Sequence, residues 1–289
     1  MKVAIIGGSG KMGRWFADFL IKDGNEVIII GRNEEKLLAA REQLGSVEAT
    51  TDFTATGTAD LVIVSVPLDH FEAVIKQLQP CLKPGQIVTD ITSVKVFPTA
   101  IMHKYMKTGL VLGTHPVFGP GARDIRNQNF VLTPTSPEEN DLAEKARQYL
   151  TSREARVTLM SPQEHDEMMA FILGLSHFIA IVSADTLLSF GRLKQLEAVS
   201  GSTYKVLLTF VESVISEDPE LYASLQMNLP GITDIERLFL ENARTWAEMV
   251  KSRNSAEFIS RMNVLKEGLE KNDPDFSKAY QNMYRLLGK

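Results

Sequence analysis

Lys2-Val3-Ala4-Ile5-Ile6-Gly7-Gly8-Ser9-Gly10-Lys11-Met12-Gly13 opens the chain as an apolar run that breaks into glycines. Gly8-x-Gly10-x-x-Gly13 has the G-x-G-x-x-G spacing. It lies between an apolar strand and an amphipathic helix, the context in which that spacing carries meaning. Gly8 permits a tight turn, Gly10 lets the backbone approach a pyrophosphate, and Gly13 lets the helix touch the strand. The helix N-terminus then offers N–H groups and a positive dipole end to phosphate. Gly8, Ser9, Gly10, Lys11, Met12 and Gly13 are therefore expected to hold a dinucleotide; the bland reading is a plain glycine-rich turn.

Outward from that turn, short apolar runs alternate with helical patterns. The runs are Lys2–Gly7, Glu26–Gly31, Asp60–Val66, Gln86–Asp90, Leu110–Thr114, Phe130–Pro134 and Arg156–Met160. They are rich in Val and Ile, as strands buried on both faces are. Amphipathic stretches at Lys11–Lys22, Glu34–Gln43, Asp69–Leu82, Phe97–Lys107 and Pro137–Leu150 separate most of them. Such alternation predicts a parallel, doubly wound sheet of Rossmann type over residues 1–160. From Ser161 the strand-like runs stop. Residues 161–289 read as an all-helical domain, broken at Ser189-Phe190-Gly191, Asp218-Pro219, Pro230-Gly231 and Asp273-Pro274. Met168 to Ala184 carries no Asp, Glu, Lys or Arg. It falls short of the ~20 residues that span a bilayer, so it is expected to be buried in a bundle or a dimer interface, with no membrane association.

Composition narrows the function classes. The 289 residues carry 31 Lys+Arg against 36 Asp+Glu, a net charge of −5, and no basic block. That argues against nucleic-acid binding. One cysteine, Cys81, rules out a disulfide framework and suits a reducing compartment. With a strand starting at residue 2, no signal peptide is expected, and the expected location is the cytoplasm.

The carboxyl ends of the runs carry the candidate chemistry, because ligands of open α/β sheets bind there. The second run ends in Gly31-Arg32-Asn33, where NAD-binding sites usually place an acidic residue for the ribose 2′-hydroxyl. Arg32, with Asn33, is suited instead to a 2′-phosphate, which predicts NADP, with NAD possible. The alternative is a solvated Arg32 with Glu34 or Glu35 on the ribose. Ser65-Val66-Pro67 ends the third run. Ser93 and Lys95 follow the fourth, and His115 follows the fifth. All three should project into the crevice beside a nicotinamide. A histidine titrates near ~6.5, suited to taking a proton from an alcohol while hydride leaves. Ser93 is placed to fix its tautomer. The five histidines show no ligand-type spacing, so no metal is expected.

These residues resemble the prephenate dehydrogenase (TyrA) family, closest to the dehydrogenase module of bifunctional chorismate mutase–prephenate dehydrogenases. The motifs that carry the resemblance are G-G-S-G-K-M-G, V-S-V-P, Asp90-x-x-Ser93-Val94-Lys95 and His115-Pro116-Val117-Phe118-Gly119-Pro120. In the helical half, Glu164-His165-Asp166, Leu175-Ser176-His177-Phe178 and Glu217-Asp218-Pro219-Glu220-Leu221-Tyr222 add to it. The resemblance implies oxidative decarboxylation of prephenate, or of its amino-acid analogue arogenate, in tyrosine biosynthesis. His115 would be the base, Ser93 its orienting group and Lys95 a positive charge near substrate or cofactor. It also implies a homodimer through the helical domain.

His165 and His177 match histidines of the family's substrate site. On a straight helix they would stand about 120° and about 18 Å apart, and His177 has the surroundings of a hydrogen-bonded core histidine. The family's Tyr-Arg pair reads Tyr204-Lys205 here, and Ser213 stands where the family has an arginine for the ring carboxylate. Lys205, Arg123 and Arg126 are the cations left for that task. Two other classes fit parts of the pattern. A two-domain reductase of hydroxy acids or imines would share the glycine turn but not the Ser93–Lys95 and His115 motifs. A non-catalytic NADP sensor would need no base.

Overall fold

The computed structural model describes residues 1–45, 47–107 and 109–288. It divides into two compact units. The first is Met1–Met169 with Met227–Leu229; the second is Ala170–Gln226 and the chain from Pro230 onward.

The first unit is an eight-stranded sheet. Its strands are β1 (Lys2–Ile6), β2 (Glu26–Ile30), β3 (Glu48–Thr50), β4 (Leu61–Val64), β5 (Ile87–Asp90), β6 (Leu110–Pro116), β7 (Asn129–Thr133) and β8 (Arg156–Leu159), in the order 3-2-1-4-5-6-7-8. Helices α1 (Lys11–Lys22), α2 (Glu34–Leu44), α3 (Leu68–Leu78), α4 (Val96–Tyr105), α5 (Pro137–Thr151) and α6 (Pro162–Met169) accompany it. Side chains alternate faces along a strand. Val3, Ile5 and Ile29 join Phe16 and Leu20 of α1 in one core, while Ala4, Ile6 and Ile28 join Phe71 and Ile75 of α3 in another. Both faces are covered, which is why these strands read as unbroken apolar runs.

Two features depart from the sequence expectation. β7 runs antiparallel to β6, with His115 opposite Val131. No helix joins the two strands, so no right-handed crossover returns the chain in parallel. β3 is an additional edge strand of three residues, Glu48 exposed and the other two half-buried, too short and polar to leave an apolar signature.

α6 begins with a reciprocal cap: Glu164 N donates to Ser161 Oγ at 3.2 Å and Ser161 N to Glu164 Oε2 at 2.9 Å. The helical stretch then runs unbroken from Pro162 to Ser189, through a π-helical segment at Ala170–Leu175 into α7 (Ser176–Ser189).

The second unit is all-helical, as expected. It contains α7, α8 (Leu193–Ala198), α9 (Ser202–Ile215), α10 (Pro219–Asn228, which ends in the first unit), α11 (Ile232–Lys251), α12 (Ser255–Asn272) and α13 (Ala279–Leu286). α7 packs on α9, and α11 on α12 and the π segment. Of the two settings expected for Met168–Ala184, packing within the chain does not bury it, which leaves the dimer interface. By length and composition this helix is apolar enough to cross a membrane, yet only 17% of its most apolar window is buried within the chain, and Phe171 is 54% exposed. The chain alone supplies too few neighbours to cover it.

Candidate active site

The glycine turn is held by packing. A Cβ on Gly8 would lie 2.6 Å from Cβ of Ile29, and one on Gly13 would lie 2.3 Å from the Gly7 carbonyl oxygen. At Gly10 the nearest atom to such a Cβ is the Gly7 oxygen, at 3.2 Å. Gly10 caps α1 with no side-chain hydrogen bond, and the first turn of α1 has no acidic residue. This cradle fits a pyrophosphate: open above Gly10, closed beneath Gly8 and Gly13, and positive at the helix end. Ser9, Lys11 and Met12 lie on the same turn. Ser65 N donates to the Ile6 oxygen at 2.8 Å, which brings Ser65, Val66 and Pro67 beside the turn.

At the end of β2, Arg32 is exposed and has no partner among the described residues. Asn33 has a structural part beside the expected one. Its Oδ1 accepts from Lys36 N at 2.8 Å and caps α2, which leaves only its amide N–H groups for a ligand.

His115 lies on β6 and is 4% exposed. Its Nδ1 is 2.8 Å from Nε2 of His165, and the two rings meet edge to face. Nδ1 of His165 is 2.7 Å from Oδ1 of Asp166. Asp166 also accepts from Lys95 N at 2.7 Å and Val96 N at 2.9 Å, so its carboxylate sits on the N-terminus of α4. Burial pushes the His115 imidazole well below its ordinary pKa, and the Lys95 ammonium adds to this. Burial lowers His165 as well, with Asp166 opposing.

Four sequence expectations change. Ser93 makes no hydrogen bond among the described residues, and the partner of His115 Nδ1 is His165. Lys95 is fully buried rather than aimed at a ligand. Its Nζ binds Asp90 Oδ2 and donates to the Thr114 oxygen at 2.6 Å. Burial pulls this ammonium down, and the Asp90 carboxylate opposes. His165, expected as a substrate contact, is fully buried against His115. His177 lies beyond the π segment, in the second unit. It is not a satisfied core histidine: its Nδ1 is buried without a partner, while its ring stands edge-on to Tyr222 at 4.7 Å.

In that second unit the Tyr204 hydroxyl is likewise buried without a partner, while Lys205 is exposed. Ser213 is exposed, its hydroxyl donating to the Phe210 oxygen at 2.7 Å. In the loop after β6, Arg126 pairs with Asp124 at 3.3 Å, whereas Arg123 is exposed with no partner among the described residues. Sequence reasoning missed the part played by Asp166. The Ser161-x-x-Glu164 capping box was the available signal, because it fixes where α6 starts and so which residues fall on its first turn.

Two family models match the chain: "Prephenate dehydrogenase, nucleotide-binding domain" over residues 16–159 and "Prephenate dehydrogenase, dimerization domain" over residues 161–264. The chain belongs to the prephenate dehydrogenase family. A probable arogenate/prephenate dehydrogenase of Methanocaldococcus jannaschii is 32% identical over 265 residues, 91% of this chain and 59% of that protein. The T-protein of Enterobacter agglomerans is 29% identical over 92% of this chain and 66% of that protein. The chain thus spans about three fifths of the length of these curated relatives. Among solved structures, A. aeolicus prephenate dehydrogenase in complex with hydroxyphenyl propionate and NAD+ has a TM-score of 0.76. It shares 23% identity, with 94% of this chain and 98% of that one covered, and so shares the fold.

Proposed function

We propose that this chain is a dehydrogenase that oxidatively decarboxylates prephenate to 4-hydroxyphenylpyruvate with NADP as hydride acceptor, acting as a homodimer. The observation that carries the reading is His115, buried at the carboxyl end of β6 in a sheet whose first turn is shaped for a dinucleotide. Family membership supports the substrate class. An oxidised nicotinamide, when bound, accepts the hydride from C4 of the ring. His115 accepts the proton of the 4-hydroxyl through Nε2, the nitrogen not engaged by His165. Loss of the C1 carboxylate as carbon dioxide leaves its bonding electrons to aromatise the ring. Ser93, with no hydrogen-bond partner among the described residues, is available to the substrate.

The substrate's carboxylates need cations. With Ser213 in the arginine position, Arg123 and Lys205 are the exposed candidates, and Tyr204 and His177 offer unpartnered polar atoms. Arg32, at the end of β2 with no partner among the described residues, supports NADP over NAD. The relative from Schizosaccharomyces pombe carries NADP(+) in its name, and the A. aeolicus structure holds NAD+. Arogenate is the second reading, since the Methanocaldococcus relative is named for both substrates. Purified protein with NADP and prephenate should generate absorbance at 340 nm, with arogenate in a parallel arm. No turnover of either compound rejects the proposal.

A further inference from the structure

The buried chain His115–His165–Asp166 contains three groups, and only one arrangement of its protons satisfies them all. Both oxygens of Asp166 already accept backbone N–H groups, from Lys95 and Val96, which can only donate. Two backbone N–H donors at the start of α4 favour the ionised carboxylate, which can only accept, so Nδ1 of His165 must be its donor. A neutral imidazole protonated on Nδ1 carries a lone pair on Nε2. That lone pair points at Nδ1 of His115, 2.8 Å away, so His115 must donate from Nδ1. The free nitrogen of His115 is then Nε2, unprotonated.

We infer that His165 and Asp166 are positioning residues: they hold His115 in the Nδ1–H tautomer, which leaves its Nε2 as a base. The reverse arrangement needs either two lone pairs face to face at His165 and Asp166 or a second proton on His165. Complete burial and the ammonium of Lys95 both disfavour that proton. The inference also assigns His165 a part other than substrate contact: it is shut off from solvent, and both its ring nitrogens are engaged within the chain.

This inference rests on the proposed function for its catalytic consequence but not for its test. Histidine-labelled protein at about pH 8, where a neutral ring is expected, is read by nitrogen NMR, in which protonated and lone-pair ring nitrogens separate widely. The expected result is a protonated Nδ1 and a lone-pair Nε2 at both His115 and His165. His115 found protonated on Nε2 overturns the inference, and it does so whether or not the protein turns over prephenate. Lack of turnover with the expected tautomers present counts against the function alone.

Variants separate positioning from packing. His165→Phe fills the same space but accepts no hydrogen bond. It should shift His115 toward the Nε2–H form and lower kcat by about a hundredfold or more, the scale of a lost general base, with KM little changed. His165→Gln places an acceptor oxygen near the same point and should restore the tautomer and most of the rate. If both variants keep the wild-type tautomer and kcat, His165 does not position His115.

Discussion

An imidazole shut away from water holds a proton weakly, and that fact governs His115. Its pKa lies well below the ordinary value because burial disfavours the imidazolium. A base works in its neutral form, so a lowered pKa keeps it competent as the medium becomes more acidic. The acid limb of kcat/KM is therefore expected below about pH 6.5, the unperturbed value for histidine. His115→Asn should abolish that limb and cut turnover about a hundredfold or more, while cofactor binding measured by fluorescence is retained. Unchanged turnover would remove His115 from the chemistry. At the other end of the cofactor, Arg32 has no competing partner among the described residues. Arg32→Ala should weaken NADP by at least about tenfold, the scale of one charge-assisted contact, and leave NAD nearly unchanged. Equal losses by titration calorimetry would mean that Arg32 does not recognise the 2′-phosphate.

Elements meet at Lys95. From the N-cap of α4 its side chain reaches Asp90 at the end of β5 and the Thr114 carbonyl on β6, while its backbone N–H binds Asp166 of α6. Removing the ammonium leaves the Asp90 carboxylate buried and unpaired. Breaking one side of such a pair costs about 3–5 kcal/mol. Lys95→Ala should lower unfolding stability in urea by that amount, and a loss below about 1 kcal/mol would show the pair to be solvated. The glycine turn is the second junction. Gly13→Ala puts a Cβ 2.3 Å from the Gly7 oxygen, so α1 must move away from β1. Overpacking of this kind costs about 1–3 kcal/mol. NADP affinity should fall with stability, because the displaced helix end is the proposed phosphate site. Full affinity in Gly13→Ala would show the helix end to be dispensable.

At the scale of the molecule, the second unit exposes more apolar surface than a lone chain normally leaves in water. Ile259, Met262, Leu265 and Leu269 recur at helical spacing along α12 and are each at least half exposed, and Phe171 and Ile172 are exposed in the π segment. The second family model is that of a dimerization domain. Sedimentation at micromolar concentration is expected to give a dimer, and Leu265→Glu with Met262→Glu to give a monomer. A wild-type monomer under those conditions would refute pairing through this unit.

Much of the fold was legible in the sequence because its signals are local. Apolar runs at Lys2, Glu26, Leu61 and Ile87 became strands within a residue or two of their expected limits, and breaks such as Asp218-Pro219 and Pro230-Gly231 fell at helix boundaries. The antiparallel β7 was not legible, since strand direction depends on which neighbour the strand pairs with. Nor was β3, whose three residues carry no pattern. For the site, the sequence by itself determined the glycine cradle and named His115, because backbone conformation and motif spacing are properties of neighbouring residues. Only the tertiary structure decided that Lys95 is buried on Asp90, that Ser93 has no hydrogen-bond partner among the described residues and that His165 meets His115. Those contacts join residues 50 to 71 positions apart, or turn a side chain inward that spacing alone left pointing either way. Hydrogen-bond direction and desolvation are set by what surrounds a group in space, and a linear chain does not contain that information in any one stretch.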